Sequence, residues 1–342
     1  MLNLKCFKAG KGDSFLMTWE SEIKNRLLID FGFEGTYRYL GPLISDFGVN
    51  DFVIITHVDY DHIGGFFKWL SDKQHPINRQ LTVFLNTPNL IVAPDSSEKV
   101  GMKHGVNLEI LLEERGIVPK PLFVESENYN TLKIGDVELV ILSPSIDILS
   151  MLIEKWTANK IYQEYLNQKL QTNDRVGVDV HKKLRSKEEI LKSPPQPHKW
   201  EDDLLNSSSI AFLLKYKGNQ LLFLGDSNPN IVCEHLKCNE SEPCEIDLLK
   251  ISHHGSKHNT TVHLLKSIRC SKYLISTDGS GPYYHPSRET LVLIATYGRK
   301  NEDESITIYS NYSLDKDKLL TKDEQKNIIF KEIEELEFDS KF

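Results

Sequence analysis

His57, Asp59, Asp61 and His62 fall within six consecutive residues, and an apolar run, Phe52 to Ile55, leads straight into them. Imidazole and carboxylate groups are the side chains that hold divalent cations. A strand end suits them, because the sheet fixes the backbone while the last side chains project past its edge. Four such groups crowded behind a buried strand would repel one another or stay unsatisfied without a cation between them. Gly64 and Gly65 follow at once and let a helix begin close to the ligands. Other hydrophobic stretches end the same way. Asp30 closes Leu27-Leu28-Ile29, Asp226 follows Leu221 to Gly225, His253 and His254 follow Leu248 to Ser252, and His285 sits in a turn before Pro286.

Read in order, these segments form a pattern: Gly10-Lys11-Gly12-Asp13, His57 to Gly65, Asn206 to Ser209, Gly225-Asp226, His253-His254-Gly255-Ser256 and His285-Pro286. The pattern resembles the metallo-β-lactamase superfamily and, within it, the hydrolase domain of ComEC-type competence proteins. The matches run from residue 4 to about residue 297. The resemblance implies an α/β protein, a four-layer αββα sandwich, and a metal-dependent hydrolase. It implies six metal ligands: His57, Asp59, Asp61, His62, Asp226 and one of His253 and His254, with His254 the preferred member. Asp61 doubles as a proton acceptor. His253, His285 and Lys250 would meet the substrate and stabilise developing charge. Asp30 would orient a ligand histidine, and Asn206 and Ser209 would donate hydrogen bonds or bind metal weakly.

Two departures from the pattern change the expected chemistry. Asp59 stands where most of the superfamily has a second histidine. The histidine of the third motif has no clear counterpart; Asn206 lies nearest, and His198 is a weaker candidate. The site is therefore rich in oxygen ligands, which makes manganese a rival to zinc for its two divalent ions. Those ions would share Asp226 and a bridging hydroxide as nucleophile. A phosphodiester is the expected substrate, with DNA first, so that the protein reads as a nuclease. The alternatives are a hydrolase of a small phosphodiester, lactone or thioester, and a non-catalytic regulatory module holding metal structurally.

The elements that must position these groups are legible in outline. Strands are expected at Leu2–Phe7, Ser14–Trp19, Arg26–Asp30, Phe52–Ile55, Leu81–Leu85, Val137–Leu142, Ser209–Tyr216, Gln220–Leu224, Ile246–Ile251, Lys272–Ser276 and Ile306–Tyr309. Helices are expected at Thr36–Ile44, after Gly65, at Ser97–Arg115, Pro229–Lys237 and Glu289–Tyr297. The chain of 342 residues reads as one domain: a first half over 1–145, a mostly helical insertion over about 146–205, a second half over 206–320 and a charged terminal helix over 321–342.

Composition excludes some classes of protein. A hydrophobic fraction of 39% and a charged fraction of 26% are ordinary for a globular chain, and no run is long and apolar enough to span a membrane. The first residues carry no signal-peptide pattern, so a cytoplasmic location is expected. A net charge of −8 argues against non-specific adhesion to nucleic acid over the whole surface and leaves room for a local basic groove. The basic stretch His181 to Lys187 reads as a solvated helix face. The five cysteines fit no disulfide framework, and Cys233, Cys238 and Cys244 with His235 fit zinc spacings poorly, so reduced thiols are expected. Nucleic acid is the expected substrate partner, with a protein partner or a second copy beside it.

Overall fold

Alternation is the local rule that builds the strands. In β1 (Leu2–Cys6) Leu2, Leu4 and Cys6 are buried while Asn3 and Lys5 between them are half-buried. The computed structural model describes residues 1–86, 105–126, 130–158, 184–280, 284–299, 301 and 303–341. Two mixed sheets result. The first has six strands in the order β16 (Glu335–Phe338), β1, β2 (Phe15–Glu20), β3 (Lys24–Ile29), β4 (Asp51–Ile55) and β5 (Thr82–Leu85). The second has eight: β15 (Ile328–Glu332), β14 (Ile306–Ser310), β13 (Lys272–Ile275), β11 (Leu248–Lys250), β9 (Asn219–Phe223), β8 (Ala211–Tyr216), β7 (Val137–Ser143) and β6 (Thr131–Ile134). A parallel pair, β10 (Cys244–Glu245) with β12 (Ile268–Arg269), lies apart.

The inner faces of both sheets share one apolar layer. Phe15, Met17, Trp19, Leu27 and Ile54 from the first sheet pack with Leu139, Phe212, Leu214, Phe223 and Leu274 from the second. Outside the first sheet, the helices Tyr37–Ile44, Tyr60–Ser71 and Gly105–Glu114 cover Leu28, Val53, Ile55 and Val83. Outside the second, the helices Pro229–Leu236, Val262–Lys266 and Arg288–Tyr297 cover Leu222, Leu249 and Ile275. This is the expected αββα sandwich. Burying leucines and phenylalanines on both faces of a sheet gives each side chain roughly 1.5–3 kcal/mol, which is what holds the layers together.

Several expectations are corrected. The segment 321–342 carries β15 and β16, not a helix. Glu335 and Glu337 face out while Leu336 is half-buried and Phe338 buried, a period of two, and charges suit strands at a sheet margin. The sheets also do not coincide with the halves of the chain. β6 and β7 join the second sheet through β7–β8 pairing, and β16 returns to the first through β1. Cys238 and Cys244 are paired as a disulfide, Cα atoms 5.7 Å apart, instead of being reduced thiols. The turn between them closes on the Asn239 side chain, which accepts from the backbone of Ser241 and Glu242. Cys6, Cys233 and Cys270 are buried and outside that pair. The start of the helix expected from Ser97 and the middle of the insertion lie outside the described residues. Within the insertion, Ile146–Ala158 and Lys187–Lys192 are helical. Among the described residues no helix is long and apolar enough to cross a membrane.

Candidate metal centre

Parallel strands put their carboxyl ends at one edge, and that edge carries the site. β3 pairs in parallel with β4, and β9, β11 and β13 form a parallel run in the facing sheet. Asp30 therefore follows β3, Thr56 and His57 follow β4, Asp226 follows β9, and His253 and His254 follow β11. All of them meet between the sheets. Asp59 precedes the first residue of the helix Tyr60–Ser71, and its carboxylate makes no capping bond there.

Close backbone approach is what lets the motifs converge. A Cβ on Gly12 would lie 1.9 Å from the carbonyl oxygen of Asp61, so only glycine fits where the Gly10–Asp13 turn meets the ligand helix. Gly64 and Gly65 are pressed against the backbone of Phe31 to Glu34, which fixes the loop carrying Asp30. On the other side, His253 and His254 both adopt left-handed backbone conformations, φ 47° and 53°. Two consecutive non-glycine residues in that region are costly, roughly 1–3 kcal/mol each, and such strain gathers at functional sites. The peptide nitrogen of His253 donates to the Gly225 carbonyl at 3.0 Å, tying that turn to the Asp226 strand end.

Each candidate ligand histidine is anchored through Nδ1. His62 Nδ1 lies 2.7 Å from Asp30 Oδ2, and His254 Nδ1 donates to the Ser276 carbonyl at 2.9 Å. Thr56 Oγ1 gives its one proton to Asp30 Oδ2 at 2.7 Å, so towards His57 Nδ1, 3.2 Å away, it can only accept. His57 and His254 thus carry their protons on Nδ1, and Asp30 draws the His62 proton the same way. All three then aim an Nε2 lone pair into the site. This is how metal-binding histidines are held.

Among the described residues, the aimed atoms lack hydrogen-bond partners. His57 Nε2, His62 Nε2, His254 Nε2 and Asp226 Oδ1 are buried without a hydrogen bond. Asp226 Oδ2 sits 3.6 Å from both His62 Nε2 and His254 Nε2, and 3.8 Å from His253 Nε2. Asp61 Oδ2 is 3.7 Å from His254 Nε2, and Asp59 Oδ2 is 3.8 Å from His57 Nε2. These separations are too long for hydrogen bonds and suit atoms that share a cation. The sets His57–His62–Asp226, Asp61–His62–His254, Asp13–Asp226–His254 and Asp13–Asp30–His62 each bring ligand atoms within 4.8 Å of one another. The residues fit the metal ions their types imply. His235 and the clustered cysteines form no such set among the described residues.

Charge follows the same geometry. Burial would raise the Asp226 carboxyl, but His254, His253 and His62 outweigh it and hold it well below the usual range. Burial would lower His62, but Asp226 and Asp30 hold it well above its ordinary value while no cation is bound; a bound cation would displace the Nε2 proton and take that lone pair. His57 drops to about 3, first through burial and then through His62. Asp30 is raised by burial, even with His62 beside it. His285 also falls to about 3, through burial and then His253, leaving a neutral imidazole at neutral pH. Its ring lies 5.6 Å from that of His253, and its turn is pinned where Ser287 N donates to the Gly255 carbonyl at 3.0 Å.

Several expected residues fall elsewhere. Lys250 does not face the open side of the site. It is 1% exposed, pairs directly with the buried Asp13 carboxylate, and reaches the Gly225 carbonyl at 3.3 Å. β11 places it on the strand facing inward, beneath the ligands. Ser209 supports Asp226, accepting its backbone N–H at 3.1 Å. Asn206 donates to Asp203 at 2.9 Å and belongs to none of the ligand sets among the described residues. His198 stacks on His258, ring centres 4.1 Å apart, outside those sets as well. Asp13, the last residue of the first motif, belongs to two sets; burial would raise its carboxyl, but Lys250 and then His254 carry it down to about 2. Thr56 and the Ser276 carbonyl had no sequence signal beyond following apolar strands.

Fold and centre together define the class: an αββα sandwich with a histidine- and carboxylate-lined metal site at the strand ends. Solved structures of similar shape include the metallo-β-lactamase fold protein YhfI from Bacillus subtilis, at 11% identity over 98% of this chain and all of that one, TM-score 0.45. A diphosphatase of the PhnP family matches at 9% identity over 99% of both chains, TM-score 0.43. A CmlA β-hydroxylase variant matches at 12% identity over 98% of this chain and 53% of that one, TM-score 0.41. No family model and no curated protein matches the chain.

Proposed function

We propose that this chain is a metal-dependent phosphodiester hydrolase acting as a nuclease on DNA. The observation carrying the reading is the convergence of three Nε2 atoms and the Asp226 carboxylate on one buried space where, among the described residues, no hydrogen bond satisfies the three Nε2 atoms or Asp226 Oδ1. His57, Asp59 and Asp226 would hold one divalent ion, and Asp61, His62, His254 and Asp226 a second. Zinc and manganese both suit this mixture of imidazole and carboxylate. When bound, such ions acidify water and polarise phosphoryl oxygens.

The chain's own groups do the rest. Asp61 is the more open carboxylate, 25% exposed at its side chain, and stands where it can take a proton from water. His253 and His285 line the outer wall; His285, as a neutral ring, donates a hydrogen bond to a phosphoryl oxygen. Asp30 and Thr56 keep the ligand tautomers correct. Asp13 and Lys250 form the floor and do not touch substrate.

The test is metal analysis of purified protein followed by hydrolysis of bis-p-nitrophenyl phosphate and of labelled single- and double-stranded DNA. Turnover with zinc or manganese, abolished in Asp61→Ala and Asp226→Ala, is expected. Bound metal with no turnover of any phosphodiester would overturn the reading and favour a non-catalytic module.

A further inference from the structure

Beside the Gly10–Asp13 turn, cations and aromatic rings alternate across the surface. Lys11 Nζ lies 5.9 Å from the Phe33 ring, Lys8 Nζ 5.3 Å from Tyr312, and the Arg38 guanidinium 4.6 Å from Tyr39. Phe33 and Tyr60 stand edge to face, 5.9 Å apart. Tyr60 is 38% exposed and Tyr39 41%. The patch is assembled from distant segments: Gly10 N donates to the Tyr312 hydroxyl at 2.8 Å, and the Phe33 ring lies against Gly10. It is continuous with the metal centre, since Tyr60 lies between Asp59 and Asp61 and Gly12 touches the Asp61 backbone.

We propose that this face is the strand-binding track of the enzyme: Phe33 and Tyr60 stack a nucleobase next to the scissile phosphate, Lys11 pairs with the backbone, and Tyr312, Lys8, Arg38 and Tyr39 carry the single strand away. The proposal rests on the phosphodiesterase reading. A base has an apolar face for a ring and a phosphate for a cation, and every base can stack, so such an alternation binds single strands with little sequence preference. Carboxylates also flank this face: Asp278 beside Gly10 accepts from Ser280 N at 2.9 Å, and two others are paired with lysines. Glu332 bonds Lys8 at 2.8 Å and Glu34 pairs with Lys68 at 3.2 Å. With a net charge of −8 on the chain, attraction for a polyanion has to be local, and on this face it falls to Lys11 and Arg38, since Lys8 is paired with Glu332.

The experiment measures binding of a fluorescein-labelled oligothymidylate of about 12 nucleotides to Asp226→Asn protein by anisotropy. Adding Tyr60→Ala or Phe33→Ala should weaken binding about tenfold or more. Lys11→Ala, a surface change, should weaken it less and reduce the salt slope by about one. Thermal unfolding of each variant separates lost binding from lost fold. Equal affinity in the parent and all folded variants, or no oligonucleotide binding by the parent, overturns the track even if bis-p-nitrophenyl phosphate is hydrolysed. If that ester is not hydrolysed, the phosphodiesterase reading fails, while loss of oligonucleotide binding in the variants still supports the track.

Discussion

Asp30→Asn isolates the device that aims the ligands. Asp30 is fully buried and accepts three bonds: from Thr56 N at 2.8 Å, Thr56 Oγ1 at 2.7 Å and His62 Nδ1 at 2.7 Å. Asparagine keeps the shape and the acceptor for Thr56 N. It then sets an amide N–H₂ against Thr56 Oγ1 and His62 Nδ1. His62 must move its proton to Nε2 to accept that bond, and loses the lone pair aimed at the site. The Thr56 hydroxyl, no longer drawn to a carboxylate, can turn its proton towards His57 Nδ1, 3.2 Å away, and flip that tautomer too. Disturbing such supporting bonds weakens metal binding by about 10- to 100-fold, or roughly 1.4–2.7 kcal/mol. Removing a buried charge that burial disfavours leaves the metal-free fold as stable as before or more so. Calorimetric titration with zinc and manganese, paired with melts in chelator and in excess metal, is the assay. The expected result is an unchanged or raised metal-free Tm with a smaller metal-induced rise. Wild-type metal affinity in Asp30→Asn would refute the tautomer argument.

Two further outcomes follow from buried charge. Lys250→Met should cost about 3–5 kcal/mol in urea unfolding, because Asp13 is left ionised and unpaired, and Asp13→Asn in the same chain should restore most of it. Arg288 grips Glu324 with two bonds, 2.6 and 2.8 Å, and that grip lowers the Glu324 carboxyl against burial. A lowered folded value means the pair stabilises fully above the ordinary glutamate pKa and stops doing so as pH falls through the folded value. Glu324→Gln should therefore lose roughly 1 kcal/mol near neutral pH, a difference that closes in acid melts.

The fold and most of the centre were legible because both rest on short-range pattern. Apolar strands that end in histidine or aspartate announce themselves, and Asp30 was read as an orienting group that the structure places on His62. What was hidden is long-range. The charged tail, rich in glutamate and lysine, has a helical composition, but pairing of β16 with β1 and β15 with β14 overrides it. A strand-end lysine beside histidines looks like a charge stabiliser, which is why Lys250 reads as one in the sequence. Only the packing shows that it points at Asp13. The exchange of edge strands between sheets likewise has no local signature.

The Gly10–Asp13 turn is the part whose meaning changes most once the packing is known. In sequence it is a tight turn between two strands of the first sheet. In the structure Phe33 and Asp61 of the first half press against it, and its long-range hydrogen bonds come from the second half of the chain. Ser276 Oγ donates to the Gly12 carbonyl at 2.7 Å, Asp278 N donates to the Gly10 carbonyl at 3.0 Å, and Asn311 Nδ2 donates to the Phe7 carbonyl at 2.8 Å. Ser276 is also the residue whose carbonyl orients His254. One strand end, that of β13, thus fixes both a ligand histidine and the turn that presents Asp13 beneath it. Lys250, from the neighbouring strand β11, neutralises that aspartate from below. The turn therefore does two jobs with one geometry: its inner side, Gly12 and Asp13, locks the two halves of the metal centre in register, while its outer side, Gly10 and Lys11, meets the aromatic face where substrate would enter. A substitution at Gly12 should for that reason damage metal binding and substrate binding together, whereas one at Lys11 should touch only the latter.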